Sequence, residues 1–226
     1  MEKIYCVNCA LKSAAARKLN PNELDVMDDN CAEVHFNEGD VIFKQNALSS
    51  NVIYIKSGLV KLHVQGPKKE KIMRIAKAPE YLCLPSTFGD KVNHFSATAL
   101  EETVACFIDI NVFKQFIYEN GDFAYQIILD LSKGELHNFH TCVNNAQKQT
   151  NGRIADALLL FAQDIYKGSR FRLPLSRNDF SDLVGSTREN VSRILSDFHH
   201  EKIIQLKGRD ITILKEDLLR QISNKG

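Results

Sequence analysis

The chain has 226 residues, 44% of them hydrophobic, and a formal net charge of +1. That is enough apolar material for a substantial core and for two domains, and so small a net charge does not by itself announce a nucleic-acid binder. No apolar run is long enough for a membrane-spanning helix, so no membrane partner is expected. The start, MEKIYCVNCALKSAAARKL, carries charges and cysteines where a signal peptide needs an apolar core. A cytoplasmic location is therefore expected, with the six cysteines as reduced thiols or metal ligands rather than structural disulfides. Charge is uneven along the chain. Residues 1–150 hold 16 Lys/Arg against 18 Asp/Glu, and residues 151–226 hold 13 against 10. The C-terminal part leans basic, as a phosphate-contacting module should.

From about residue 32 to 110 the chain reads as short strands and turns: EVHF, VIFK, VIYIKSG, LVKLHVQG, KIMRIA and TVACFIDI, punctuated by Gly39, Gly58, Gly66 and Gly89. Many short strands with regular turns imply a small antiparallel roll or barrel. QGPKKEK, residues 65–71, reads as a solvated hairpin tip. From about residue 111 the spacing turns helical. After the Asn120-Gly121 turn a long helix is predicted to run past residue 145. Ile128, Leu131, Asn138, Cys142 and Asn145 recur on it at steps of three, four or seven, as on a coiled-coil seam. Beyond Gly152 come a helix (RIADALLLFAQDIY), a strand signal (FRLPL), two short helices and a hairpin (KIIQLKGRDITIL).

The two short helices carry their own start and stop signals. Ser176 is an N-cap candidate with Asp179 as capping-box partner, Gly185 suits the turn, and Thr187 can cap the second helix. Phe180, Leu183 and Val184 form the apolar face of the first; Val191, Ile194, Leu195 and Phe198 form that of the second. This is helix-turn-helix spacing, in which the second helix enters the major groove of double-stranded DNA. Arg188, Glu189, Ser192 and Arg193 lie on the opposite face. Arginine can fork onto guanine O6 and N7, and glutamate can accept from the cytosine amino group. These four are the candidate base-reading residues. Ser176, Arg177, Thr187, Lys207 and Arg209 are the candidate phosphate contacts, the last two at the tip of a basic wing. His199 and His200 end the second helix, where positive charge suits the helix dipole.

With roll, long helix, GRIADALL and this module in that order, the sequence resembles the Crp/Fnr superfamily of bacterial transcription regulators over nearly its whole length. The recognition helix, with Arg188, Glu189, Ser192 and Arg193, is of the Fnr type. The resemblance implies an α+β fold: an antiparallel β-roll of the cyclic-nucleotide-binding kind (a double-stranded β-helix) at residues 1–120, a long dimerisation helix at 121–150, and a winged helix-turn-helix at 151–226. It implies a homodimer bound to inverted repeats with a TGA-type core, and RNA polymerase as a partner if the protein activates.

Family members often hold cyclic nucleotide through Gly-Glu followed by Arg-Ser or Arg-Thr. Here Cys83-Leu84 stand in place of the first pair and Phe95 in place of the arginine, before Ser96. Without that arginine a cyclic phosphate lacks its bidentate partner, so cAMP binding by the usual mode is not expected. Ser96 and Thr98 read as strand residues. Leu84, Phe95, Ser96 and Thr98 remain the candidate positions for another, unidentified small-molecule effector. Asn46 stands where the family often has a turn glycine, and asparagine tolerates the left-handed region. Fnr-type sensors hold a [4Fe–4S] cluster, and by resemblance Cys6, Cys9 and Cys106 match three of its ligands. The third N-terminal cysteine is replaced by Ala14, Ala15 or Ala16, and Cys31 substitutes only if folding brings it near. No metal is therefore the leading expectation, with an iron–sulfur oxygen or redox sensor as the alternative. A rival of another class, a CxxC thiol oxidoreductase at Cys6 and Cys9, lacks a βαβ context, and the chain has no Gly-rich phosphate loop or nucleophile elbow. The protein is therefore not expected to be an enzyme.

Overall fold

The computed structural model describes residues 6–226; the first five residues of the start read above lie outside the described residues. Asn20 opens helix α1 (Pro21–Asp29), accepting from the Glu23 N–H while Glu23 reaches back to the Asn20 N–H. The sequence carries the Asn-Pro-x-Glu signature that specifies this helix. Six strands lie where expected: β1 (Cys31–Phe36), β2 (Val41–Phe43), β3 (Asn51–Ser57), β4 (Leu59–Gln65), β5 (Glu70–Lys77) and β8 (Thr103–Asp109). Between β5 and β8 the chain adds β6 (Glu80–Leu82), helix α2 (Leu84–Phe88) and β7 (Ser96–Ala99). Helix α3 (Ile110–Glu119) and the long α4 (Gly121–Gln147) follow.

The strands form two four-stranded sheets, ordered β1-β8-β3-β6 and β2-β7-β4-β5. β3 is buried on both faces, which explains the unbroken apolar run VIYI. Its Ile53 and Ile55 join a core drawn from both sheets, with Val60, Leu62, Ala97 and Ala105. Its Val52 and Tyr54 face the other way, into a second core with Leu24, Met27, Phe113, Phe116 and Phe123. The roll thus carries an outer apolar layer made by the N-terminal segment, α1, α3 and the start of α4. Gly58 turns the chain at φ +102, and a Cβ there would collide with Thr103 Oγ1, so only glycine fits. Asn46 does adopt the left-handed region, at φ 66.

α5 (Thr150–Leu159) runs into a π-helical turn (Leu160–Ile165). A three-stranded sheet follows, with β9 (Arg170–Arg172) pairing β11 (Asp210–Ile213), which pairs β10 (Ile204–Lys207). α6 (Arg177–Val184) and α7 (Arg188–His200) lie between β9 and β10, and α8 (Glu216–Lys225) ends the chain. The chain divides into two compact units. His137–Gly226 with Glu70–Ile72 forms one, and the other described residues form the second. Among the described residues no helix is long and apolar enough to cross a membrane.

Candidate nucleic-acid interface

The helix-turn-helix is set by short-range signals. Ser176 caps α6: its Oγ accepts from the Asp179 N–H at 3.0 Å and donates to Asp179 Oδ2 at 2.5 Å. Gly185 ends the helix at φ 66, a conformation that suits glycine. Thr187 Oγ1 then accepts from the Asn190 N–H at 3.2 Å and opens α7. Phe180, Val184, Val191, Ile194, Leu195 and Phe198 are all buried. That apolar seam fixes the roll of α7 about its axis. It leaves Arg188, Glu189 and Arg193 exposed and Ser192 half-buried on the opposite side.

Of the charged groups on this face, Arg193 has the best-defined geometry. Its guanidinium meets Asp197 Oδ2 and Asn190 Oδ1, each at 2.9 Å. Both partners are neighbours on the same helix, and an exposed pair of this spacing is worth about 0.3–0.5 kcal/mol. A bidentate guanine contact is worth about 1–3 kcal/mol of discrimination, so Arg193 can exchange its partners for a base edge. Asn190, absent from the sequence-derived set, also holds Ser186 Oγ at 3.0 Å and so links turn and helix.

The candidate phosphate residues have differing local roles. Lys207, Gly208 and Arg209 are exposed at the β10–β11 turn. Arg177 is half-buried and donates to the Gly208 carbonyl at 2.8 Å, bracing the wing against α6. Burial first, then the Arg209 charge, lowers its pKa from the usual arginine value. Ser176 has its hydroxyl committed to the cap, while Thr187 is exposed at the start of α7. Arg153, which the sequence reading did not single out, donates from Nε to the Val184 carbonyl at 2.7 Å. It also reaches the Gly185 carbonyl at 3.3 Å. An arginine on α5 thereby satisfies carbonyls that the end of α6 leaves open.

On the roll, the four candidate effector positions do not converge. Leu84 belongs to the outer core, at a groove of about 400 Å³ shared with Phe88, Ile117, Ile127 and Leu131. Phe95 packs instead edge-on to Phe43, against the core between the sheets. Ser96 Oγ accepts from the Gln45 N–H at 2.9 Å, and Thr98 Oγ1 lies 2.8 Å from His63 Nε2. Residues 1–150 contain two arginines. Arg17 donates to the carbonyls of Lys12 and Ala10, and Arg74 pairs with Glu80. Neither is placed to fork a cyclic phosphate, so this set does not fit a cyclic nucleotide held in the usual way.

Cys6, Cys31 and Cys106 pack against the outer core, and the β1–β8 register sets Cys31 and Cys106 on one face of the sheet. Cys83 is elsewhere, buried at the start of α2, where burial raises its pKa. Cys142 is exposed on α4. The iron–sulfur ligand set does not fit as placed. Among the described residues no three His, Cys, Asp or Glu side chains converge on a metal position.

A capped helix-turn-helix with a basic wing, carried by a chain whose other unit is a double-sheeted roll, defines a DNA-binding transcription regulator. Two family models agree: Crp-like helix-turn-helix domain matches residues 152–222, and Cyclic nucleotide-binding domain matches residues 33–120. The chain belongs to the Crp/Fnr family. Among its relatives, Transcriptional activator protein FnrA of Stutzerimonas stutzeri is 23% identical over 93% of this chain and 88% of its own. A CRP-like cAMP-activated global transcriptional regulator of Mycobacterium tuberculosis is 24% identical over 89% of this chain and 92% of its own. In fold, the chain is similar to a putative Crp/Fnr-family transcriptional regulator from Eubacterium rectale. That likeness has a TM-score of 0.79 and 18% identity, and covers 94% of this chain and 99% of the other.

Proposed function

We propose that the protein acts as a homodimer on double-stranded DNA, at inverted repeats with a TGA-type core, with one α7 in each of two successive major grooves. The observation that carries this reading is the face of α7. Arg188, Glu189, Ser192 and Arg193 stand together opposite a fully buried apolar seam, as groove reading requires. Arg177, Thr187, Lys207 and Arg209 serve as phosphate contacts, with Arg177 acting also through its hold on the wing, whereas Ser176 keeps its hydroxyl in the helix cap. Dimerisation is assigned to α4. On the single chain it leaves Tyr125, Ile128, Leu131, Leu136, Phe139 and Val143 exposed, an apolar surface that a monomer has no use for.

The effector, if there is one, is not a cyclic nucleotide in the usual mode. The names of the relatives point to more than one control scheme. RNA polymerase is a partner if the protein activates. The test is selection of bound sequences from random duplexes, followed by sedimentation of the protein with and without the selected site. Recovery of two TGA-containing half-sites in inverted orientation, bound by two protomers, is expected. A single asymmetric site bound by one protomer would refute the dimer reading.

A further inference from the structure

The three-stranded sheet that carries the wing has an outer face that takes no part in base reading. Phe171, Ile204, Ile211 and Ile213 turn inward and are buried, so the alternating residues of β9, β10 and β11 face outward. The register sets these in two cross-strand rows. Lys207, Asp210 and Arg172 form one, beside the wing turn, and Gln205, Thr212 and Arg170 form the other. Arg170, Arg172, Lys207 and Asp210 are all exposed. Among the described residues no carboxylate pairs with Arg170, Arg172 or Lys207, Asp210 included.

We propose that this face is a second, sequence-independent DNA-contacting surface, on which Arg170 and Arg172 hold phosphates of the duplex beyond the half-site that α7 reads. The inference rests on the reading of α7 and the wing tip as the surface that meets DNA. The Leu173 N–H donates to the Arg209 carbonyl at 2.9 Å, which ties the end of β9 to the wing turn. Arg172 precedes Leu173 and stands roughly 10 Å across the sheet from Lys207, two strand spacings away. Arg170 follows about 7 Å further along β9, the axial span of about two base pairs. The cations therefore lead away from the tip as a track. The inner side of the sheet packs toward α7 through β10, so duplex that touches the outer side lies beside the segment in which α7 sits.

The chemistry of the face suits phosphate. A guanidinium can fork onto two phosphate oxygens, and an arginine with no partner has none to give up. Each phosphate so neutralised releases counterions and makes binding more sensitive to salt. Such contacts position the protein without reading sequence. Asp210 lies between Arg172 and Lys207 and opposes the approach of a phosphate, which gives the face an internal control. Charge on an edge strand also blunts pairing with other chains, but that role makes no demand on the length of a bound duplex.

The test is to titrate the full chain, over a range of salt, with two duplexes: the selected site alone, and the same site with about ten further base pairs, one helical turn, on each side. The longer duplex should bind more tightly, with a slope of log K against log salt steeper by about two for each protomer. Arg170→Ala and Arg172→Ala combined should remove that increment and leave binding to the short duplex within about twofold. Asp210→Asn should tighten binding to the long duplex more than to the short one. Equal slopes on the two duplexes, or a double variant weakened equally on both, overturns the proposal. So does a double variant that binds both duplexes like the unaltered chain, which would leave an acidic protein surface as the partner of this face. Loss of selective binding to the short duplex by the unaltered chain refutes the reading of α7 and this inference with it, whereas selective binding without a gain from the flanks refutes this inference alone.

Discussion

The exposed face of α7 and the outer face of the roll both carry charged or reactive side chains, and they hold them in opposite ways. On α7, Arg193 pairs with Asp197 while both remain about half exposed or more, at 64% and 49% of the side chain. Such a pair exchanges partners at little cost. On the roll, Lys56 is only 8% exposed and pairs with Glu33, the cross-strand neighbour of Cys106. A desolvated cation has no such freedom, because leaving its partner exposes the full cost of burial. The first arrangement suits a surface that must trade internal contacts for those of a ligand. The second suits groups that act where they stand.

This contrast can be broken by experiment. The largest effect should come from the outer core itself. Phe113 is fully buried and packs edge-on to Tyr81 and Phe123. Phe113→Ala is expected to cost about 3–5 kcal/mol in urea unfolding. Lys56→Ala should follow at about 1–3 kcal/mol, below the range for a fully buried pair because Glu33 is one-third exposed. Arg193→Ala should change stability by less than about 0.5 kcal/mol. It should nevertheless cost about 1–3 kcal/mol of specific DNA binding and relax preference at one base pair. If Lys56→Ala is neutral to folding, or Arg193→Ala unfolds the protein, the two surfaces are not built as described. Ser176→Ala sits between the two cases. It removes a cap and should lower stability by about 1 kcal/mol, read as a shift in the unfolding midpoint of the C-terminal unit.

The reading module was legible in the sequence because its signals are local. Ser176, Asp179, Gly185 and Thr187 specify two helix starts and one stop within a dozen residues, and each does so through contacts with its immediate neighbours. Arg153 was not legible. Its contact with Val184 spans 31 residues, and nothing about an arginine on a helix reveals which carbonyl it will meet. The cysteines are half legible: the sequence marks Cys6, Cys9 and Cys106 and leaves Cys31 conditional on folding, and only the register of β1 against β8 sets Cys31 on one sheet face with Cys106. Leu84 and Phe95 failed to converge for the same kind of reason. They are close in sequence, yet α2 directs one to the outer core and β7 leads the other to the core between the sheets.

The smallest predicted effect is the most discriminating for the wing. Lys207 is exposed at the β10–β11 turn beside Gly208, whose carbonyl is held by Arg177. The backbone of the turn is thus fixed from α6, and the lysine adds charge to it without shaping it. Lys207→Ala should leave folding unchanged and weaken binding to all sequences alike. The slope of log K against log salt should fall by about one, as loss of one phosphate contact requires. A loss confined to the selected site would mean that the wing reads bases. An unchanged slope would mean that Lys207 stays in solvent and that Arg209 alone supplies the wing's charge. Arg177 separates these cases. Replacing it should disturb both slope and selectivity, because it removes a charge and also releases the turn that Lys207 depends on.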